Sequence, residues 1–542
     1  MNWYYGGASA LALLCLLNWR FGEPKPYTYG SAVWSGVWPL YKAGYLKNKG
    51  LRLGDFTGRM GVFYDGAHAL TFGCPGSNKG TAAILPNLLT QRYIFLIDPG
   101  AENTAVACKA WRKRGYEFRC INPFGAFPQA PWALPQHGFN PLCMLDANSP
   151  TLAADAKLIA EMLVARTGAE NGSSGYFKDS AESALQAMIV HIRTAEPAAR
   201  QNLATLYDYV NADVAGWEAL LGAMKVNGTC LGLIAKQANR LERTEQQAPE
   251  EFSAIMSTMQ QDLTFMADPL VRDMLMRDEV EFGILKGLGK RQKGGIISVA
   301  LPLNYIESHA AVTRLAMACA ILELQRQPLP KERVLFMIDE AAALGKIMRF
   351  PNWLATLRKY RVSIWSVWQN VGQVTALYGK DWQTIVGNCA MKQFLAVADL
   401  ETAEYTEKML GRTTVLSKSV SARGDTSKSE TARPLLMADE LMRLKKTLQI
   451  VLLDNLSPLV LKKTPYWERP ELRGQFHANP YVGKAARPKL GLRLKLWWGR
   501  LYYLLVCLMA PHPLAAMAMT GAALFFGLPL LAQWGITIPG RQ

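Results

Sequence analysis

No two cysteines of the chain stand in CxxC spacing; the nine, at 15, 74, 108, 120, 143, 230, 319, 389 and 507, are scattered and odd in number. That excludes a disulfide framework or thiolate zinc site and points to a reducing compartment. Histidine is scarce, with six residues and no metal-binding spacing. His68, just ahead of a glycine-bearing turn, reads as a satisfied turn residue rather than a ligand. Acidic charge is short: 43 Asp and Glu face 60 Lys and Arg, for a formal net charge of +17. Such an excess suits nucleic acid phosphates or the anionic cytoplasmic leaflet under the positive-inside rule. Charge alone does not choose between them. No large disordered tract is evident. Long apolar runs are missing from the middle of the chain, although half the residues are hydrophobic and mean hydropathy is +0.01. The apolar excess sits at the ends, which fits a soluble middle with membrane-associated termini better than a polytopic transporter. A length of 542 residues allows two or three domains.

Residues 3–17 form an uncharged run followed by Arg20 and Lys25. It lacks a basic n-region and a cleavage site, so an uncleaved anchor is expected, though the run is short for a full span. Trp34, Trp38, Tyr41 and Tyr45 then fall at helical spacing, interrupted by Gly30, Gly36 and Gly44. This stripe suits a membrane-interface helix or a weak second span, or a face packed on the soluble body. At the other end Lys484, Arg487, Lys489, Arg493 and Lys495 precede residues 496–510, and Pro511-His512-Pro513 separates these from residues 514–536. Two apolar segments about a break read as a tight helical hairpin, with Gly521, Ala522 and Ala523 permitting close contact. The basic residues before it, like Lys42, Lys47 and Lys49 near the start, place the middle of the chain in the cytoplasm.

The strongest local signal is an apolar strand from Ala69 into Gly73, Cys74, Pro75, Gly76, Ser77, Asn78, Lys79, Gly80 and Thr81, then an apolar helix. Phosphates need inward backbone N–H groups, the positive end of a helix and a lysine ammonium, and this order supplies all three. The general pattern is GxxxxGK followed by Ser or Thr. Here Asn78 stands for the second glycine and Gly80 for the hydroxyl residue. Asn tolerates positive φ, so the turn can survive. The missing hydroxyl ordinarily ligates Mg²⁺. Thr81 is adjacent but points about 100° further round the helix, so it substitutes only with readjustment. An ordinary strand–turn–helix corner is the plainer alternative.

Val334 to Ile338 forms an apolar run ending in Asp339 and Glu340, as a buried parallel strand does at its C-terminal edge. Asp339 is placed to hold Mg²⁺ through water and Glu340 to polarise the attacking water. A further strand, 362–368, ends at Gln369, whose amide can sense the γ-phosphate. The intervening helix, roughly 350–360, carries Arg358 and Lys359, with Arg361 just beyond. An arginine here could act as a finger toward a neighbouring subunit's nucleotide; a solvated helix end is the commoner use.

Taken together, these stretches resemble the conjugative coupling proteins of type IV secretion systems, the TraG/TraD-like P-loop ATPases. The resemblance runs from about Gly54 to Leu472. It is carried by the loop from Gly73 to Thr81 with Pro86 to Leu89 behind it, Phe95 to Pro99 with Glu102, Asn122 to Phe124, and Phe139 to Leu142. Tyr176-Phe177, Phe336 to Lys346, Arg358, Gln369, Tyr378 to Lys380, Gly387 to Cys389, Asp399 to Tyr405 and Arg433 to Leu436 continue it in order. The resemblance implies an α/β fold: a RecA/FtsK-like P-loop ATPase domain, forming a homohexamer, with an inserted all-α domain and membrane-associated helices at both termini. The expected division is an anchor or interfacial segment over 1–46, the ATPase domain over 47–150 and 290–480, the insertion over 151–289, a basic linker over 481–495 and a transmembrane hairpin over 496–538. Independently, strand signals are scarce from 151 to 289. There Ala181, Leu185, Met188, Ile189 and Ile192 share one helical face, as do Phe252, Ile255, Met256, Met259 and Leu263.

By resemblance the cofactors are ATP and Mg²⁺. Gly73, Gly76, Ser77, Asn78, Lys79, Gly80 and Thr81 bind nucleotide, Asp339 and Thr81 bind metal, and Glu340, Gln369 and Arg358 serve catalysis. Gly100-Ala101 depart from the family's Lys-Gly after Asp98-Pro99, and an acidic relaxosome-binding tail is absent. Residues 417–433, almost without apolar side chains, read as a mobile basic loop or a solvated hairpin connection. The function implied is coupling of a DNA–relaxase complex to a type IV secretion channel at the bacterial inner membrane, in contact with membrane lipids. Recruitment of protein effectors, or a nucleotide-binding platform with little hydrolysis, are the alternatives.

Overall fold

The computed structural model describes residues 27–56, 60–167, 172–288, 293–420 and 426–483, and the side chains of 418–428 are not described. The anchor run over 3–17, the linker beyond 483 and the hairpin over 496–538 lie outside the described residues. Among the described residues no helix is long and apolar enough to cross a membrane.

Thirteen strands are described. In chain order they are β1 (Leu51–Asp55), β2 (Gly61–Tyr64), β3 (Ala69–Gly73), β4 (Tyr93–Pro99), β5 (Glu117–Ile121), β6 (Gly295–Leu301) and β7 (Val334–Ile338). Then come β8 (Val362–Trp368), β9 (Met391–Ala396), β10 (Arg412–Val420), β11 (Thr426–Pro434), β12 (Leu448–Leu453) and β13 (Leu459–Lys462). Eleven of them make one sheet in the order β2-β1-β13-β12-β9-β3-β8-β7-β4-β6-β5. From β9 to β5 neighbours run parallel, whereas β12, β13, β1 and β2 add antiparallel pairs at one edge. Strands β6, β7 and β8 are buried at every position. Covered on both faces, they carry continuous apolar runs instead of an alternation.

Between β5 and β6 the described chain is helical, from Leu152–Leu163 through Pro269–Met276. The stripe of Ala181, Leu185, Met188, Ile189 and Ile192 is fully buried, and Ile255, Met259 and Leu263 are buried on their helix. Asn202, Asp213 and Asp268 cap three helices by accepting from backbone N–H groups.

Of the stretch 417–433, residues 417–420 and 426–433 follow the hairpin alternative rather than the mobile loop: β10 and β11 pair in antiparallel register from Arg412–Pro434 to Val420–Thr426. The pairing is a backbone ladder, and the sequence has no apolar run there to mark it. The aromatic stripe near the start is not a second span either. Its helix, Val37–Lys42, has six residues, about 9 Å against a hydrocarbon core of about 30 Å. The stripe divides instead. Trp34 and Tyr45 pack against the core, while Trp38 and Tyr41 stack outside with ring centroids 5.7 Å apart. The segment before it is strapped to the body through Ala32 N to Arg412 O (2.9 Å), Thr414 N to Gly30 O (3.1 Å) and Ser35 N to Pro458 O (2.9 Å).

A buried polar ladder crosses the centre of the sheet. Trp365 Nε1 on β8 donates to Thr71 Oγ1 on β3 at 2.8 Å, and Thr71 donates to Gln393 Oε1 on β9 at 2.8 Å. Gln393 Nε2 donates to Gln449 Oε1 on β12 at 2.6 Å, and Gln449 Nε2 reaches Leu53 O on β1 at 2.8 Å. Each amide is satisfied in register, which ties the parallel block to its antiparallel edge. The substitution Thr71→Val keeps the shape and orphans two buried partners. It is expected to cost about 1–3 kcal/mol, read as a lowered thermal unfolding midpoint that Thr71→Ser largely spares.

Candidate nucleotide site

The site forms at the C-terminal edge of the parallel block, where the sheet places the ends of β3, β8, β7 and β4 in a row. β3 stops at Gly73, where a Cβ would stand 2.8 Å from Ser77 Oγ, too close for any other residue without a shift. The loop then turns through two left-handed residues, Gly76 (φ 77°) and Asn78 (φ 67°), so Asn78 meets the backbone demand that glycine usually meets. A π-turn over Lys79–Ile84 leads into the helix Leu85–Leu88. Behind the loop, the buried Lys463 donates to Ser77 O at 2.9 Å and to Leu395 O at 2.5 Å. Burial pushes its pKa down to about 8.

Strand β8 lies between β3 and β7, so loop and carboxylates stand two strand spacings apart, roughly 10 Å. The Lys79 side chain crosses that gap. Its Nζ lies 3.3 Å from Asp339 Oδ1 and 3.3 Å from Glu340 Oε2. Burial alone would depress the Lys79 pKa, but the two carboxylates outweigh it and hold it above its ordinary value. For Asp339, burial raises the pKa against the pull of Lys79 and a hydrogen bond from Asn103. Glu340 sits at φ 71° and ψ 66°, a left-handed conformation that costs a non-glycine residue about 1–3 kcal/mol. Its carboxylate is held from further sides by Gln369 Nε2 (3.1 Å) and Gln373 Nε2 (3.3 Å). Gln373 Oε1 in turn accepts from Gln369 N at 2.8 Å.

On the far side of β7, β4 delivers Asp98, fully buried, its pKa pushed up to about 7 by burial despite hydrogen bonds from Thr104. Asn103 joins the two strands, with Nδ2 donating to Asp98 Oδ1 at 3.0 Å and to Asp339 Oδ2 at 3.0 Å.

The structure therefore brings Lys79, Asp339, Glu340 and Gln369 into one cluster, with the loop 73–81 around it. Thr81 does not join as expected: its hydroxyl turns back to Asn78 O at 3.4 Å. Arg358 is exposed, ahead of β8. Gln369 ends that seven-residue strand, so about 23 Å separates the two at 3.3 Å per residue, too far to serve the same site. Arg361 is committed to Pro330 O (3.0 Å) and Lys331 O (2.7 Å). His68 is buried, accepts from Ile364 N at 3.1 Å and is held neutral near pKa 4 by burial. Asn103, Gln373 and Lys463 are additions, none of which belongs to a motif with a fixed spacing from the loop.

Among the described residues no group of three or more His, Cys, Asp or Glu could hold a metal by itself. A divalent ion here must share its ligands with phosphates, as Mg²⁺ ordinarily does. Asp339 Oδ1 fits that use: it is buried and, apart from its ion pair with Lys79, accepts no hydrogen bond.

A family model described as type IV secretory system conjugative DNA transfer matches residues 37–491. Protein VirD4 of Agrobacterium fabrum is 24% identical, the match covering 85% of this chain and 69% of that protein. A TraG relative from Sinorhizobium fredii is 23% identical over 76% of this chain. The chain spans 63% of that relative's length. In fold, the chain is similar to the plasmid coupling protein TrwB, solved in complex with ADP and Mg²⁺. The TM-score is 0.60 at 16% identity, over 82% of this chain and 96% of that one.

Because the folded Lys79 pKa is raised, its stabilising contribution is complete below the unfolded-chain value and disappears as pH climbs through the folded one. The thermal midpoint of the wild type should exceed that of Lys79→Ala by a constant margin from pH 7 to 9. The margin should shrink above pH about 10.5, which melting curves across that series will check.

Proposed function

The chain belongs to the type IV secretory system conjugative DNA transfer family, and on that premise we propose that it is an ATP-hydrolysing coupling protein. It links a DNA–relaxase complex to a type IV secretion channel and drives DNA transfer. The observation that carries the reading is the convergence of Lys79 with Asp339 and Glu340 within 3.3 Å, from elements 261 residues apart.

The proposed chemistry follows from the side chains. Lys79 exchanges its carboxylate partners for the outer phosphates, while backbone N–H groups of the loop from Gly73 to Thr81 face the phosphate chain. Asp339 Oδ1, given up by Lys79 in that exchange, would face Mg²⁺, which when bound neutralises charge on the phosphoryl oxygens. Glu340, released from the ammonium but still gripped by Gln369 and Gln373, accepts the proton of the attacking water. Gln369 sits where it can report the γ-phosphate to that carboxylate. Arg358, remote from its own site, acts in trans within a homohexamer, where an exposed position ahead of β8 is an asset.

The same reading takes the sheet as a RecA/FtsK-like motor over 47–150 and 290–480, and the helices of 151–289 as an inserted domain at the channel entrance. Residues 1–46 and 496–538 supply anchoring to lipids of the bacterial inner membrane, with the motor in the cytoplasm. Trp38 and Tyr41, exposed and stacked beside Lys42, suit a position near that surface.

Detergent-solubilised protein should hydrolyse ATP faster when DNA is added. Lys79→Ala and Glu340→Gln should each lower kcat by about 10²–10³-fold, the scale for removal of a transition-state electrostatic group. Hydrolysis that survives both substitutions would reject this site, and turnover indifferent to DNA would favour a protein cargo.

A further inference from the structure

The loop lacks the hydroxyl that P-loops place after the lysine, and Thr81 turns away. We propose that Asn103 supplies the missing oxygen: its side-chain carbonyl stands in for that hydroxyl as the second protein oxygen facing Mg²⁺. The inference rests on the nucleotide-binding reading above and goes beyond it by naming a ligand that the loop does not contain.

Three observations carry it. First, the amide of Asn103 has a fixed orientation. Its nitrogen lies 3.0 Å from one carboxylate oxygen of Asp98 and 3.0 Å from one of Asp339; the flipped amide would set its oxygen against both. Second, the oxygen so directed faces the loop: a Cβ built on Gly80 would lie 3.5 Å from Asn103 Oδ1 and, outside its own turn, meets no other atom within 4 Å. The amide oxygen thus borders the space where a serine or threonine at position 80 would project. Third, Asn103 is buried at 4% exposure and rests against Asp339, whose Oδ1 has no hydrogen bond beyond its ion pair with Lys79. One hard oxygen thus borders Gly80 and another is held only by its ion pair with Lys79, and neutral amide oxygens are accepted ligands of hard divalent cations. A glycine at position 80 is then part of the arrangement. It leaves the approach open for a ligand arriving from the helix Glu102–Arg114.

The test uses the full-length protein in detergent, ADP, and Mn²⁺ as a spectroscopic substitute for Mg²⁺. Binding of Mn²⁺ to the ADP complex is followed by electron paramagnetic resonance, and ADP affinity is measured separately in EDTA. Asn103→Ala should weaken Mn²⁺ by at least ~10-fold, within the range typical of lost coordination support, and leave metal-free ADP binding unchanged. Adding Gly80→Ser to Asn103→Ala should restore Mn²⁺ affinity, because the hydroxyl returns to its usual place and the shortened side chain at position 103 leaves it room. Undiminished Mn²⁺ affinity in Asn103→Ala overturns the inference alone. A loss of metal-free ADP binding that Gly80→Ser fails to rescue also overturns it, since Asn103 would then only be bracing the Asp98–Asp339 pair. Wild-type protein that binds no ADP overturns both this inference and the function proposed above.

Discussion

A single ammonium bridges the gap left by an intervening strand. β8 separates the phosphate loop from the acidic pair, and Lys79 spans it to meet both carboxylates at 3.3 Å. Without that cation, a buried Asp339 and a strained Glu340 would repel each other at one sheet edge, where desolvation makes an unpaired charge expensive. Much of the surrounding structure serves the contact. Gly73 and Asn78 shape the turn that aims the lysine, Lys463 fixes the back of the loop, and the two glutamines share the load on Glu340. The arrangement is a charged cluster waiting for a better anion. A triphosphate offers the lysine more negative charge than two carboxylates do.

The strands nearest this cluster were readable in advance for a simple reason. A parallel strand covered on both faces has to be apolar throughout, so 295–301, 334–338 and 362–368 stand out, and each ends where a polar residue is affordable. The helical stripes at 181–192 and 252–263 were readable for the complementary reason, since a helix with one buried face repeats its apolar residues every third or fourth position. The meeting of Lys79 with Asp339 and Glu340 could be foreseen from the loop and the strand end together. Other features had no local signature. Asn103 lies in the first turn of a helix among small residues, and nothing in the sequence marks it as the link between two strands. Gln373 looks like any polar helical residue, and Lys463 like a surface lysine at a strand end. The order of the antiparallel edge depends on pairings such as Asp55 with Lys462, which no short window contains. Arg358 stands near the right strand but at the end away from the chain's own site, so only a neighbouring subunit's nucleotide is open to it.

The antiparallel edge does more than widen the sheet. Through Thr71, Gln393 and Gln449 it is fastened by side chains to the strand that carries the phosphate loop, in addition to the backbone ladder. Those amides interlock only in one register, because a slip by one residue would turn each of them to the opposite face. Apolar residues at the same places would pack but would not select that register.

The strap at residues 30–35 has a mechanical meaning. Its amides and carbonyls are tied to Arg412 and Thr414 at the root of the β10–β11 ribbon and to Pro458 in the turn before β13. A pull arriving from the chain ahead of residue 27 therefore loads the ribbon's root first and the antiparallel border next. The parallel strands that hold the lysine and its carboxylates come last along that route. The edge that carries the lysine and its carboxylates is thus isolated from tension applied ahead of the strap, while the ribbon stands directly in its path.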